Sequence, residues 1–523
     1  MRGVAGTGLR LGIDVGGTNT DAVLMDGGRV VAWHKATTGR HITDAIVAAA
    51  GAVLQQGGAA PDQINAVMLG TTQFTNAVIE RRRLNPVAVL RLAAPATTAV
   101  PPMSDWPEDL RAVVGHHTYL ARGGLEFDGR PISGLDEAEL CAVAKDIRGH
   151  GIGAVAITSV FSPLDAEMEH RAEAILRREL PPETCVITLS HRIGRIGLLE
   201  RENAAILNAA LSGLAGDVLG AFTRAIDNLG LTAPLYISQN DGTLMTAAHA
   251  ARYPVLTFAS GPTNSMRGAA VLSGLADALV VDIGGTTTDI GLLLDGFPRE
   301  AAMTVDVGGV RTNFRMPDLL ALGLGGGSLV RNGGTSIGPD SVGFELQQRA
   351  LVFGGDTLTL SDMAVAAGQM ALGDRAKVAD LDGVDLALAR AATMIEGALE
   401  RVRPSATRLP VILVGGGAPL LGGDTIGGGQ IVRPVHSQVA NAIGASIAMV
   451  GGECDRIFSL DGLSRAEAVA AATDEAKALA AEAGADVASI RVVEMDEIPL
   501  SYMPGNVTRL RVKAVGDLAA AGG

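Results

Sequence analysis

Aromatic side chains are scarce in this sequence, 3% of 523 residues. Basic residues are outnumbered too: 42 Lys and Arg stand against 56 Asp and Glu, a formal net charge of -14. Nucleic-acid binders need cationic patches and stacking rings, so this composition excludes that class of partner. The three cysteines, Cys141, Cys185 and Cys454, lie far apart with no paired spacing. That excludes a disulfide framework and a cysteine-based zinc or iron–sulfur centre. No apolar run approaches the roughly 18 to 20 residues of a membrane span. The opening segment, MRGVAGTGLR, has no apolar leader. The expectation is a cytoplasmic protein with no membrane contact.

Glycine is abundant, 68 residues, and the 47% apolar fraction is mostly Ala, Val, Leu and Ile broken by charges. That mixture suggests a large buried sheet. The length suggests two to four domains. Short apolar runs such as LGIDVG, Ala66–Leu69 and Gly153–Val160 read as strands. They alternate with helical patterns at 43–56, 164–180 and 200–229, an α/β signature.

The most informative feature is an internal repeat. Asp14-Val-Gly-Gly-Thr-Asn-Thr-Asp21-Ala-Val-Leu24 aligns without gaps to Asp282-Ile-Gly-Gly-Thr-Thr-Thr-Asp289-Ile-Gly-Leu292, with seven of eleven positions identical. A strand–turn–strand unit repeated once per half-chain implies two related lobes; a solenoid would repeat at shorter intervals. The glycine pairs Gly16-Gly17 and Gly284-Gly285 let backbone N–H groups approach a ligand. Thr18, Thr20, Thr286 and Thr288 add hydroxyls suited to phosphate oxygens. Asp14 and Asp282, at strand ends, suit magnesium, held directly or through water. One copy alone would read as a plain glycine hairpin. Two copies suggest facing loops that grip one nucleotide.

Leu409–Gly417, LPVILVGGG, reads as a strand ending in Gly415-Gly416-Gly417, an arrangement able to close over an adenine or ribose. Gly325, Gly326, Gly327 and Ser328, at the end of the segment GLGGGS, offer a candidate anion nest. His116, His117 and His191 lack metal-binding spacing and read as surface or core residues.

A repeated strand–DxGGTxxD with a late strand–GGG resembles the actin, sugar-kinase and heat-shock ATPase superfamily. Other motifs resemble the hydantoinase/oxoprolinase family, hydantoinase A type. They are Gly70-Thr71-Thr72 with Asn76-Ala77 and Glu80-Arg81, then Ser190-His191, then Glu200-Arg201-Glu202-Asn203 with Asn208-Ala209. Asn240-Asp241-Gly242, Ser260-Gly261-Pro262, Gly338-Pro339-Asp340-Ser341 and Asn441-Ala-Ile-Gly-Ala follow in the family's order. The likeness runs from about residue 10 to 516. Two departures bear on substrate: Arg192 where many members carry an acid, and Ser-Gly-Pro-Thr-Asn-Ser where Ser-Gly-Pro-Ala-Gly is usual.

The resemblance implies an actin-like ATPase fold, with lobes at 1–190 and 191–459 and a small C-terminal α/β unit at 460–523. It implies ATP and Mg²⁺ as cofactors, and hydrolysis of a small cyclic amide through phosphorylation of its carbonyl oxygen. Asp14 and Asp282 would hold the metal, or Asp14 would act as a base. Thr71, Thr72, Asn76, Glu200, Arg201 and Asn203 would contact substrate across the cleft. Asp21 and Asp289 would orient the turns. The implied partner is a second hydantoinase-type subunit in a homo- or hetero-oligomer. The alternatives are a small-molecule kinase, an ATP-switched regulator and a carboxylase subunit.

Overall fold

Both copies of the repeat fold as antiparallel hairpins built alike in a computed structural model, which describes residues 8–17, 19–38, 42–301, 304–404, 408–500 and 506–519. Leu9–Val15 pairs with Asn19–Asp26, and Ala278–Ile283 with Thr288–Leu294. Each turn closes through its first glycine: Gly16 N–H donates to the Asn19 carbonyl at 3.0 Å, and Gly284 N–H to that of Thr287 at 2.9 Å. Their first strands are apolar on both faces because each lies inside a sheet covered on both sides.

The first hairpin sits in a nine-stranded sheet. From its free edge at Arg29–Thr37 the order is Asn19–Asp26, Leu9–Val15, Ile64–Thr71, Leu235–Ser238, Leu244–Thr246, Val450–Ser459, Val507–Gly516 and Arg491–Pro499. The second hairpin centres a seven-stranded sheet, with Val411–Val414 and then Gly429–Val432 beyond its first strand. In both lobes the hairpin's first strand is followed outward by parallel strands, so the sequence repeat is a repeat of topology. A parallel four-stranded sheet, Thr118–Arg122, Ala88–Ala94, Ala154–Ser159 and Val186–Leu189, is inserted after Ile64–Thr71.

Sheet membership does not follow the expected boundaries at 190 and 459. Strands from 235–246 and 450–516 complete the first lobe's sheet. The C-terminal segment has no separate core, because its helix Arg465–Glu482 offers only Ala468, Ala472, Ala476 and Ala480, all fully buried against that sheet. Alanine allows close approach: a β-carbon on Gly452 would lie 2.1 Å from the Ala480 nitrogen.

Helix Leu198–Asn228, against the sequence expectation, is long and apolar enough by length and composition to cross a membrane. Most of it is buried within the fold, in the first lobe's core, as for the core helix of a globular domain. The small hairpin Val305–Val307 with Val310–Thr312 leaves the second lobe and lies on the first. Val307, Val310 and Phe314 sink into the first lobe's core.

Candidate functional site

Register explains why each repeat carries two aspartates. Asp14 stands opposite Asp21, and Asp282 opposite Asp289, so each pair projects from one face of its hairpin. Asn441, on helix Ala440–Ser446, donates from Nδ2 to Asp14 Oδ2 at 2.9 Å and to Asp21 Oδ2 at 3.0 Å. Lys35 Nζ pairs with Asp21 Oδ1 at 2.6 Å. Burial, the charge of Asp21 and that of Asp282 push Asp14 up to about 7, while Asn441 and Lys35 oppose the rise. Burial and then Asp282 push Asp289 up to about 7. Burial also raises Asp282, against the pull of Ser265 and Lys35. The two hairpins thus bring Asp14, Asp21 and Asp282 within electrostatic reach of one another and Asp289 within reach of Asp282, with Lys35 as a nearby cation.

Such crowding is expensive without a counter-charge. Asp14 Oδ1 is buried with no hydrogen-bond partner, and so are both polar atoms of the fully buried Asn264. Asp14 Oδ1 and Asn264 Nδ2 converge beside Gly70: a β-carbon there would lie 2.5 and 2.7 Å from them. Asp14 Oδ1 fits a magnesium ion that keeps some of its own water, and the Asn264 amide group fits as a hydrogen-bond donor to that carboxylate or to such a water. Among the described residues no three His, Cys, Asp or Glu side chains close on one point, so an all-protein cage is not what is built. The amides of Gly17 and Gly285 make no hydrogen bond among the described residues, and both glycines are at least partly exposed. They fit phosphate oxygens. Thr286 is exposed beside Gly285; Thr18 lies outside the described residues.

Other expected ligand contacts are already spent. Thr20 and Thr288 are fully buried; the Thr20 hydroxyl meets that of Thr38 at 3.0 Å and the Thr288 hydroxyl donates to the Leu324 carbonyl at 2.7 Å. They brace the hairpins and face away from the carboxylates, because strand alternation puts them on the other side. The anion nest at 325–328 does not form. The Gly326 and Gly327 amides donate to the carbonyls of Gly284 and Gly285, Gly325 N–H to Ser328 Oγ, and Ser328 N–H to the Gly325 carbonyl. The segment backs the second hairpin. In the glycine triplet, Gly415 N–H donates to the Ser437 carbonyl and Gly417 N–H to that of Ile283, leaving Gly416 exposed.

The first-lobe substrate candidates gather near Asp14. Gly70 pairs with Asp14, and Thr71 is buried against Ser260, whose hydroxyl donates to its carbonyl at 3.2 Å. Thr72 faces Gly261, which in turn lies beside Asp14. Asn76 is half-buried on helix Gln73–Glu80 with no side-chain hydrogen bond among the described residues. Two of the second group are structural. Arg201 is fully buried; Nε donates to Ser190 Oγ, Nη1 to the carbonyls of Arg195 and Ile196, and Nη2 to that of Ser159. Asn203 accepts from Trp106 Nε1 at 2.7 Å and donates to the Arg311 carbonyl at 2.9 Å. Both side chains are committed to holding the fold. Glu200 is half-buried near Gly197.

Sequence reasoning missed Lys35, Asn264 and the clamp made by Asn441. Asn441 was visible only as part of a motif; nothing local shows that it meets a carboxylate 427 residues away.

Two duplicated sheets facing each other through glycine hairpins define the actin-like ATPase fold. Residues 10–180 match the hydantoinase/oxoprolinase N-terminal region and residues 201–377 the hydantoinase/oxoprolinase region that follows it. The chain belongs to the hydantoinase/oxoprolinase family. It is 28% identical over 394 residues to the caprolactamase alpha subunit of Pseudomonas jessenii, covering 70% of this chain and 55% of that one. It is 24% identical over 259 residues to the acetophenone carboxylase gamma subunit of Aromatoleum aromaticum, covering 47% and 35%. It therefore spans little more than half the length of the first of these relatives and about a third of the second. Among solved structures, the ATP-dependent caprolactamase from Pseudomonas jessenii superposes with a TM-score of 0.75 at 21% identity, over 98% of this chain and 88% of that one. A nucleotide-free acetone carboxylase superposes with a TM-score of 0.71 at 18% identity, over the same shares.

Proposed function

We propose that this chain is the ATP-using subunit of an enzyme that opens a small cyclic amide or imide, such as a hydantoin, 5-oxoproline or a related lactam. The observation that carries the reading is the paired hairpins, with Asp14 and Asp282 in mutual electrostatic reach and amides at Gly17 and Gly285 that make no hydrogen bond among the described residues. ATP with Mg²⁺ would supply the phosphoryl group that activates an otherwise unreactive amide carbonyl. Asp14 and Asp282 would hold the cation, Asn441 keeping Asp14 in position. The amides of Gly17 and Gly285 would bind phosphate oxygens, a role that fixed dipoles perform without reorganisation. Thr71, Thr72, Glu200 and Asn76 remain the cleft candidates for the organic substrate. That one relative is an alpha subunit supports a partner of a second, unlike kind.

The test is phosphate release from Mg-ATP by the purified chain, with and without a panel of hydantoins, 5-oxoproline and lactams. Release that depends on one cyclic amide and disappears in Asp282→Ala supports the reading. Release that depends on a ketone with bicarbonate would move it to a carboxylase. Phosphate appearing on the organic substrate would make it a kinase, and substrate-independent release would make it a switch.

A further inference from the structure

A cavity of about 210 Å³ opens on the same strand-end edge as Asp14. Asp14 is level with Gly70 on the next strand, and Leu69 with Ile237 on the one after. Gln239 and Asn240, just past that third strand, line the cavity. It is therefore two strands from Asp14, on the order of 10 Å at normal sheet spacing. Crevices at the carboxyl ends of parallel strands are where open α/β sheets bind ligands.

One wall is electrically settled. Arg195 pairs with Asp455 at 3.3 Å, Asp241 with Lys513 at 2.7 Å, and Arg315 with Glu300 and Glu453. The other wall is not. Arg192 and Glu482, both exposed at the rim, make no ion pair among the described residues. Both line the cavity together with His249 and Tyr253, so two opposite charges share one rim. His191 also lines the cavity. Its Nδ1 is 2.6 Å from Oε2 of the fully buried Glu169. That carboxylate also accepts from the Ser190 hydroxyl at 2.6 Å and the Ser159 amide at 2.9 Å. Burial alone would raise Glu169, but His191, Arg201 and Ser190 hold it below its ordinary value. A carboxylate so held accepts a hydrogen bond from Nδ1–H and leaves Nε2 as the ring nitrogen open to another partner. Arg201, a substrate candidate from the sequence, instead donates to Ser190, whose hydroxyl holds the Glu169 carboxylate against this imidazole.

We propose that this cavity binds a small zwitterion, an ω-amino acid, with its carboxylate on Arg192, its ammonium on Glu482, and His191 Nε2 as the fixed polar contact between them. A simple anion or cation satisfies one rim charge and leaves the other bare. The binding site stands on its own residues. Its link to catalysis rests on the function proposed above, because opening a lactam leaves one carboxylate and one ammonium on one small molecule.

The experiment titrates the full chain with 4-aminobutanoate, 5-aminopentanoate and 6-aminohexanoate by calorimetry, with pentanoate and pentylamine as controls. Long-range proton–nitrogen spectra follow the His191 and His249 rings. At least one amino acid should bind and shift both rings, while the controls bind at least tenfold more weakly. Arg192→Gln and Glu482→Gln should each weaken binding about tenfold, and binding of a fluorescent ATP analogue should stay unchanged. Equal binding of pentanoate or pentylamine, unchanged affinity in both rim variants, or no binding of any of the three amino acids would overturn the assignment. An intact ATP-analogue signal alongside any of these separates that failure from failure of the nucleotide reading.

Discussion

The α-carbon of Gly415 stands against the carboxylate of Asp282: a β-carbon added there would lie 2.2 Å from Oδ1. Its φ of +86° also disfavours any other residue. Gly416 next to it has nothing within 4 Å of the same virtual atom. Gly415→Ala should displace Asp282 and lower nucleotide-dependent phosphate release on the order of a hundredfold, a typical cost of misplacing one catalytic electrostatic group. Gly416→Ala should stay within a few-fold of the parent. Circular dichroism should show both folded, and equal rates for the two would contradict the role given to Asp282.

Asn441 bridges Asp14 and Asp21 through a single amide nitrogen. Asn441→Ala leaves two buried carboxylates with one fewer donor, at a cost of about 1–3 kcal/mol. Nucleotide binding should weaken about tenfold, with the loss partly offset by raised Mg²⁺. Asn441→Asp should be worse, since it adds a third negative charge. A calorimetric titration of both variants with Mg-ADP checks the order.

Asp14 keeps its proton in the fold up to about pH 7, against an ordinary value of 3.8. Between those values the native state holds a proton that the unfolded chain has released, so stability falls as pH rises. The loss is on the order of a few kcal/mol and is complete above pH 7. Without metal or nucleotide, thermal melts should show a lower midpoint at pH 8 than at pH 5. Asp14→Asn should reduce that difference, leaving the part that comes from Asp289, which burial raises to about 7 as well. A midpoint independent of pH in the parent would contradict it.

Arg201 and Asn203 should behave as structural residues. Arg201→Ala abandons buried carbonyls and removes a charge that Glu169 and Glu202 both feel, at about 3–5 kcal/mol. Asn203→Ala should cost about 1–3 kcal/mol. Urea midpoints should fall, while KM for the organic substrate in the folded fraction of Asn203→Ala stays unchanged.

The paired hairpins were legible because each is contiguous and local: the glycines, the aspartates and the strand runs sit within eleven residues. The cross-strand partners were not. Counting back from Asp26 opposite Arg29 would set His34 across from Asp21. A bulge between Leu24 and Met25 shifts the register by one and puts Lys35 there instead. No periodicity announces such a shift. Arg201 and Asn203 misled for a related reason. A charge cluster at a helix start looks the same in sequence whether it meets solvent, a ligand or bare carbonyls, and only the loop 195–197 folding back decides it. The C-terminal segment looked separate because strand order in a sheet is independent of chain order.

The small hairpin at 305–312 ties the lobes at one end. Arg81 donates to the Gly308 carbonyl, Asn203 to that of Arg311, and Asn313 exchanges hydrogen bonds with Arg195 and Gly197. Parting the lobes there would break these bonds and pull Phe314 out of its edge-on packing with Phe258. The molecule is thus riveted on that flank, as the pin of a pair of tongs holds its two arms.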